Sequence, residues 1–220
     1  MKLYAFDHCP FCVRTRVIIG LKNLPIEVAY LLQDDEETPV KLTGSILKPF
    51  LEYEPGKYMR ESLDIVKYLD ELDGNSILTE PKIPAIDAWI DEHGRIFDRL
   101  TTPLYYQMDL PEFATDSARQ KYKRIHEKRV DDFDVLITEA PMLLADGQAA
   151  LEKLAPHIDI ERIKAKKYGY DDIRLYPILR HISSAADIEF PPVIQEYLDL
   201  LSDASKVPTY VQMGQAKSST

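Results

Sequence analysis

The sequence predicts an α/β domain followed by an all-helical domain. In the first seventy-odd residues, short apolar runs typical of strands alternate with segments that have the apolar spacing of helices. From about residue 84 onward the strand signals fade and helical spacing continues. We therefore expect domains over residues 1–73 and 84–211, joined by a linker over 74–83 and followed by a flexible tail over 212–220.

The elements of the first domain follow the order β-α-β-α-β-β-α. A buried strand covers Leu3–Phe6, a helix begins near Pro10, and a second strand covers Ile26–Leu31, as in a parallel βαβ unit. After a short helix, Pro55-Gly56 predicts the turn of a β-hairpin, and the last helix ends at Asp73-Gly74. This order is an α/β sandwich with a mixed sheet, which is the thioredoxin topology.

The second domain is predicted from apolar residues at helical spacing. One set is Ile86, Trp89, Ile90, Phe97 and Leu100, and a second is Tyr122, Ile125, Phe133, Leu136 and Ile137. Two further helices are expected, one from Asp172 to Ala186 and one after Pro191-Pro192. Pro81 and Pro84 lie where the period changes and mark the boundary between the domains.

Composition argues against several classes of function. The 220 residues are 29% charged and 45% hydrophobic, which is ordinary for a globular protein with a core. The net charge of −10 argues against a nucleic-acid partner. We see no signal peptide and no apolar run long enough to span a membrane, so we expect no membrane partner and a cytoplasmic location.

Both cysteines of the chain lie in one motif, Cys9-Pro10-Phe11-Cys12, at the predicted start of the first helix. Pro10 suits the first helical position, because its missing N–H would have no partner there. Cys9 then lies where free N–H groups and the helix dipole favour an anion, and Arg14 and Arg16 add positive charge. We expect Pro10 and Arg16 to support a thiolate at Cys9, with a pKa one to several units below about 8.5.

This placement predicts a redox-active dithiol. With two residues between them, the two sulfur atoms can form and break a disulfide with little backbone movement. Cys12 lies one turn inside the helix and away from solvent, so it is better suited to resolve a mixed disulfide than to attack first. Cys9 is therefore the predicted nucleophile.

Three other interpretations of the cysteines stay open at this point. A structural disulfide would close a loop of only four residues and constrain the unfolded chain little. Half of a zinc site would need two more ligands, and the histidines have no paired spacing: His8, His93, His126, His157 and His181. Inert packing of both thiols in the core is the third. We expect no metal.

Several segments together resemble the glutaredoxins, and more narrowly the large bacterial glutaredoxin 2 type, which is built like a glutathione S-transferase. The segments are residues 7–12, 20–23, 34–39, 58–62 and 171–177, with a proline that starts the third strand. The last of them lies in the second domain, where a shared thioredoxin topology does not explain it. The resemblance spans nearly the whole chain.

The resemblance implies where glutathione binds. In this family a cis proline starts the third strand and faces the dithiol, and here that proline is Pro49. The preceding residue, Lys48, would offer its backbone N–H and C=O to the cysteinyl part of glutathione. Glu61-Ser62 begins a helix, whose N-terminus would bind the γ-glutamyl carboxylate while Glu61 holds the ammonium group. Lys22 and Arg16 are weaker candidates for the glycine carboxylate.

Three of these positions also have other interpretations. Ser62 is a candidate N-cap of its helix. Lys48 departs from the apolar residue usual before this proline, so it either places a cation beside the thiolate or points to solvent. Asp172 resembles a helix-capping motif of glutathione S-transferases in which Gly169 replaces the usual Ser or Thr, so we expect a structural role for it.

The implied activity is that of a glutathione-dependent thiol–disulfide oxidoreductase. Such an enzyme reduces disulfides and glutathione mixed disulfides of proteins, with glutathione as co-substrate and no metal, and this type is expected to be monomeric. Two alternatives remain. A glutathione transferase would use an activating residue such as Tyr4 and leaves Cys12 unexplained. The other is a non-enzymatic module that binds glutathione or carries an iron–sulfur cluster. In this family a proline directly after the first cysteine, here Pro10, hinders the carriage of a cluster.

Overall fold

Four strands and three helices form the first domain of the computed structural model, which describes residues 1–79 and 83–219. They are β1 (Lys2–Ala5), α1 (Pro10–Leu21), β2 (Glu27–Tyr30), α2 (Glu37–Thr43), β3 (Phe50–Glu54), β4 (Lys57–Met59) and α3 (Ser62–Glu71). The strand order across the sheet is β2-β1-β3-β4, with β1 parallel to β2 and antiparallel to β3. The predicted order of elements is confirmed.

Helix α1 lies at the centre of the molecule. Its residues Val13, Val17 and Ile18 are fully buried, as the helical spacing of the sequence predicts. It packs against α3 within its own domain and against two helices of the second domain. The start of this helix, where the cysteine motif lies, is therefore held by both domains.

The second domain consists of helices, two short 3-10 turns and one short strand. They are α4 (Pro84–Tyr105), α5 (Asp116–Val130), α6 (Phe133–Leu154), α7 (Ile160–Lys164), β6 (Tyr168–Gly169), α8 (Tyr170–Ile182) and α9 (Pro192–Ser205), with 3-10 turns at Pro111–Phe113 and Ala155–His157. Helices α4 and α6 pack side by side, and the Trp89 indole N–H donates a 2.7 Å hydrogen bond to the Ala150 carbonyl. Within residues 1–79 and 83–219, no helix is both long and apolar enough to cross a bilayer.

The apolar spacing that predicts one helical segment around residues 122–137 belongs to two helices. Helix α5 ends before Asp131, whose φ of 134° is incompatible with a helix, and the Asp132 carboxylate caps α6. The break changes the helical phase. Ile125 and Ile137 are therefore exposed, whereas Tyr122 is buried as predicted.

Residues of the predicted linker and of the predicted tail form backbone hydrogen bonds with the helical domain. Within the linker, β5 (Leu78–Thr79) pairs in parallel with β6, while Pro81 lies outside the described residues. In the tail, Lys217 donates its N–H to the Ser184 carbonyl and accepts from the Ala186 N–H, both at 2.8 Å. Ser219 is buried. The tail up to this residue is therefore packed against the helical domain.

A close approach of two helices joins the domains. Helix α1 passes α9 at Gly20, where a methyl group in place of the glycine hydrogen would lie 1.5 Å from the Ser205 carbonyl oxygen. Only glycine allows this backbone contact, because any other residue would overlap with Ser205. Gly20 therefore fixes how closely the two domains approach behind the cysteine motif.

Candidate functional site

The two cysteines differ in exposure although they are one helical turn apart. Cys9 is the N-cap residue of α1, is partly exposed, and makes no side-chain cap bond with the helix. Cys12 is fully buried, and its sulfur accepts a hydrogen bond from the Phe6 N–H at 3.4 Å. The accessible sulfur thus lies at the helix N-terminus, and the second lies behind it.

The environments of the two thiols push their pKa values apart. A hydrogen bond from the Cys12 thiol lowers the pKa of Cys9 to about 7, helped by positive charge on His8 and by the backbone N–H groups of Cys12 and Phe11. Burial and the neighbouring Cys9 raise the pKa of Cys12 well above its usual value. Near neutral pH this arrangement ionises Cys9 in about half of the molecules, while Cys12 stays protonated.

Arg16 lies elsewhere than the sequence suggests. Its guanidinium donates a 2.8 Å hydrogen bond to the Asp7 carboxylate and lies over the Tyr30 ring. Arg14 stacks on Phe11, with its guanidinium carbon 4.7 Å from the ring centre. Pro10 occupies the first helical position, as predicted.

The Lys48-Pro49 peptide bond is cis, as the family resemblance implies. The Lys48 side chain is not directed to bulk solvent. Its ammonium group lies 4.5 Å from the centre of the Phe6 ring and 3.3 Å from the Asp35 carbonyl oxygen. Burial lowers the pKa of Lys48, and the charges of Asp35 and Cys12 oppose this shift.

The four residues predicted to bind glutathione line one cavity of about 320 Å³ beside the cysteine motif. Its lining residues are Phe11, Leu47, Lys48, Pro49, Arg60, Glu61 and Ser62. In the described part of the chain, the backbone N–H and C=O of Lys48 have no hydrogen-bond partner. The first-turn N–H groups of α3 also lack a side-chain cap. The cavity thus offers backbone donors and an acceptor in addition to charged side chains.

Two sequence-based assignments around this cavity are wrong. Ser62 is the first helical residue of α3 and not its N-cap, which is Glu61. Lys22 lies away from the cavity, since its ammonium group binds Asp73 at 2.7 Å and the backbone carbonyls of Asp70 and Asn75. It joins the end of α1 to the end of α3.

Arg60 is a cavity residue that the sequence analysis missed. It is exposed and lines the cavity next to Glu61. It lies in the segment 58–62 that carries the family resemblance, which is the signal that could have identified it. With Arg16 and Lys22 bound elsewhere, Arg60 and Lys48 are the cations that the cavity offers to a carboxylate.

Asp7, just before the motif, binds a fully buried arginine of the helical domain. Arg180 donates to the Asp7 carboxylate at 2.6 Å and to the Asp7 carbonyl at 3.0 Å, while Arg16 binds the other carboxylate oxygen. Burial opposes ionisation of Asp7, but the charges of Arg180 and Arg16 outweigh it and hold its pKa well below the usual range. No signal in the sequence pairs residues so far apart.

His8 is also bound by the helical domain. Its backbone N–H and its ring Nδ1 both contact Oε1 of Glu112, at 2.9 Å and 2.6 Å. Glu112 lies in the 3-10 turn Pro111–Phe113 and is fully buried. The sequence suggests for His8 only a zinc-ligand role without a paired partner, so this contact was missed. No cluster of three or more metal-ligating side chains occurs among residues 1–79 and 83–219.

The structural role predicted for Asp172 is confirmed. Gly169 is the N-cap of α8, and its N–H donates to the Asp172 carboxylate at 2.8 Å. Arg162 binds the same carboxylate through two hydrogen bonds. Trp89 packs inside the helical domain, whereas the Tyr105 ring lies 5.8 Å from that of His8 and therefore packs between the domains.

Comparison with known proteins matches both parts of the chain. The family model for the C-terminal domain of glutaredoxin 2 matches residues 85–214, and that for the N-terminal domain of glutathione S-transferases matches residues 3–77. Glutaredoxin 2 of Escherichia coli K12 is 35% identical over 94% of this chain and 96% of its own.

Solved structures give the same result. Glutaredoxin 2 from Salmonella typhimurium, solved in complex with glutathione, is 34% identical with a TM-score of 0.92, and the match covers 96% of this chain and 97% of that one. A glutathione S-transferase from Rhodospirillum rubrum shares the fold at 19% identity and a TM-score of 0.59, over 95% of this chain and 89% of that one.

Proposed function

The chain belongs to the glutaredoxin 2 family of glutathione-dependent thiol–disulfide oxidoreductases, and on this basis we propose that Cys9 is its nucleophile and Cys12 its resolving thiol. The observation that carries the proposal is the asymmetry of the two thiols. Cys9 is accessible and has a pKa of about 7, whereas Cys12 is buried with a raised pKa. A nucleophile with a pKa near the ambient pH combines thiolate population with intrinsic reactivity.

The reaction is a pair of thiol–disulfide exchanges. The Cys9 thiolate attacks the glutathione sulfur of a mixed disulfide, which forms Cys9–S–S–glutathione and releases the substrate sulfur as a thiolate that takes up a proton. A second glutathione thiolate then attacks the glutathione sulfur on Cys9, which releases oxidised glutathione and restores the Cys9 thiolate. Each cycle therefore consumes one free glutathione, and the other half of the oxidised glutathione comes from the mixed disulfide of the substrate.

Cys12 offers a second route for substrates with a protein disulfide. Its sulfur, after losing its proton, attacks Cys9 in the mixed disulfide and expels the bound thiol, which leaves a Cys9–Cys12 disulfide. Two glutathione molecules then reduce this disulfide. The raised pKa of Cys12 keeps it protonated while Cys9 is a thiolate, because the charge of that thiolate contributes to the shift. This contribution is lost when Cys9 forms the mixed disulfide.

We propose that glutathione binds in the cavity lined by Lys48, Pro49, Glu61 and Ser62. The unpaired backbone groups of Lys48 suit the peptide part of glutathione, and the uncapped N-terminus of α3 suits its γ-glutamyl carboxylate. Arg60 is the candidate partner of the glycine carboxylate, because it is exposed at the edge of the cavity. Glutathionylated or disulfide-containing proteins are the proposed partners.

Two wider features of this function are also proposals. A glutaredoxin needs a pool of reduced glutathione, which the cytoplasm supplies, so we propose a cytoplasmic location. The monomeric state expected of this family type is proposed for this chain. Cell fractionation and sedimentation of the purified chain test the two statements.

The experiment that tests the proposed function compares three proteins. Wild type, Cys9→Ser and Cys12→Ser are assayed for glutathione-dependent reduction of a glutathionylated peptide. We expect Cys9→Ser to lose activity and Cys12→Ser to retain it, because only Cys9 is needed for the first route. Activity in Cys9→Ser with loss in Cys12→Ser would contradict the proposal, and glutathione conjugation to an electrophile without disulfide reduction would favour a transferase.

A further inference from the structure

A buried carboxylate of the helical domain contacts the residue that precedes Cys9. Glu112 is fully buried, and its Oε1 faces both donors of His8, the backbone N–H at 2.9 Å and the ring Nδ1 at 2.6 Å. Its other oxygen, Oε2, has no hydrogen-bond partner within residues 1–79 and 83–219. A buried carboxylate without a second donor depends strongly on a positive charge at the first.

The His8 ring lies among aromatic side chains and beside the Glu112 carboxylate. Aromatic rings surround it, with centroid distances of 5.5 Å to Phe6, 5.3 Å to Phe113 and 5.1 Å to Tyr122. A short contact between an imidazole nitrogen and a carboxylate is typical of a charge-assisted hydrogen bond. Aromatic groups tolerate a cation better than an aliphatic core does.

The other titratable groups near His8 do not supply a competing positive charge at neutral pH. Burial, with the charges of Arg180 and His8, lowers the pKa of His181 to about 3. Burial, with His8 and Arg129, likewise lowers the pKa of His126 to about 3, and its Nδ1 accepts a hydrogen bond from Arg129.

The remaining titratable neighbours of His8 are either neutral or have their charge balanced by another side chain. Burial raises the pKa of Tyr105 and Tyr122, so both are phenols at neutral pH. The charge of Asp7 is matched by Arg180 and Arg16. Glu112 is therefore the carboxylate that balances His8.

We propose that Glu112 keeps His8 in its imidazolium form and that this charge, one residue before Cys9, favours the Cys9 thiolate. Glu112 is a positioning residue, since it acts through His8 and touches neither sulfur. This inference rests on the proposed role of Cys9 as nucleophile. It assigns the helical domain a part in the chemistry of the dithiol, because the carboxylate comes from the 3-10 turn between α4 and α5.

The test compares full-length wild type with Glu112→Gln. The rate of Cys9 alkylation by iodoacetamide is followed from pH 5 to pH 10, with mass spectrometry to identify the modified residue. We expect Glu112→Gln to raise the pKa of Cys9 by about one unit, which lowers the alkylation rate at pH 6 by about tenfold. Near pH 10 the two rates should converge, because Cys9 is then ionised in both proteins. This convergence separates an electrostatic effect from structural damage.

Glu139→Gln is the matched control, since Glu139 binds Arg99 and not the motif, and should leave the profile unchanged. An unshifted profile in Glu112→Gln would overturn the inference. If this variant does not fold, the ¹⁵N shifts of the His8 ring in wild type decide, and a neutral imidazole at pH 7 would overturn it. An ordinary pKa for Cys9 in wild type would instead count against the proposed function itself.

Discussion

Asp7 and His8 are consecutive residues, and each binds the helical domain, but their partners are arranged differently. Both carboxylate oxygens of Asp7 accept from guanidinium groups, one from Arg180 and one from Arg16. Glu112 uses one oxygen for both donors of His8 and leaves the other without a hydrogen bond in the described part of the chain. We call the Asp7–Arg180 pair saturated, because both carboxylate oxygens accept hydrogen bonds, and the His8–Glu112 pair unsaturated, because only one does so.

This difference in hydrogen bonding suggests that the two pairs have different roles, one in holding the domains together and one in the chemistry of Cys9. A saturated buried pair fixes geometry, and its charges cancel locally, so Asp7–Arg180 holds the two domains together. An unsaturated pair makes the charge of one partner depend on the other, and that charge lies next to the nucleophile. Predictions that distinguish the two pairs therefore measure stability for Asp7 and thiol chemistry for His8.

The largest stability effect is expected from Asp7→Asn. It leaves the fully buried Arg180 without its anionic partner, which should lower the free energy of unfolding by about 3–5 kcal/mol. Urea unfolding measures the change. Asp109→Asn is the control, because the exposed Asp109 also binds an arginine, Arg119, and should change stability by less than about 1 kcal/mol. Equal effects of the two variants on the free energy of unfolding would contradict a special stabilising role for the Asp7–Arg180 ion pair.

The same pair predicts a pH dependence. The folded-state pKa of Asp7 is lowered, so its ion pairs stabilise the protein above the unfolded pKa near 3.9 and lose this contribution as the pH falls. Unfolding curves between pH 5 and pH 3 should show the loss in wild type. It should be smaller in Asp7→Asn, and an equal loss would mean that other carboxylates dominate acid unfolding.

Gly20→Ala tests an interdomain contact that involves no charge, and so gives a reference for the effect of the Asp7–Arg180 ion pair. The added methyl group overlaps with the backbone of Ser205, so α1 and α9 must separate at an expected cost of about 1–3 kcal/mol. Gly94→Ala is the matched control in α4, where the added carbon meets nothing within 4 Å and the helix should gain about 0.5–1 kcal/mol. Destabilisation of similar size in both variants would contradict the close approach.

How much of this was accessible from the sequence depends on the range of each interaction. The motif, the order of elements and the cis proline were predicted because they depend on local spacing or on a segment resemblance. The binding partners of Arg16 and Lys22 were not foreseen, because a cation near a site in sequence was assumed to act on it. Arg16 instead binds the carboxylate of Asp7, and Lys22 binds that of Asp73.

The contacts between the domains were missed for a related reason. Arg180 and Glu112 lie more than one hundred residues from Asp7 and His8, the residues that they contact. Their helical segments predict burial on one face but not the partner across the interface. Ile125 and Ile137 were grouped with the buried Tyr122 because a single helical phase was assumed across Asp131.

His181, in α8, predicts a second pH effect. Its pKa is lowered to about 3, first by burial and then by the charges of Arg180 and His8. A base with a lowered folded-state pKa makes the unfolded state bind more protons, so stability falls as the pH drops below about 6.5. Between pH 8 and pH 5 the expected loss from this residue is about 2 kcal/mol.

Thermal or urea unfolding at these two pH values measures the effect of His181. His181→Gln should lose less stability between pH 8 and pH 5 than wild type does. The exposed His157 gives the control, since His157→Gln should retain the wild-type dependence. A wild-type dependence in His181→Gln would show that this histidine is accessible to protons in the folded state.

The smallest effect is expected from Arg16→Ala, and it separates the two pairs most directly. Asp7 would keep Arg180, so the loss of one hydrogen bond to a charged group should cost only about 1.5 kcal/mol. The pKa of Cys9 should stay at about 7, because it depends on Cys12, His8 and the helix N–H groups. The pH profile of Cys9 alkylation measures it, and a rise in that pKa would restore Arg16 as the thiolate-supporting cation that the sequence suggested.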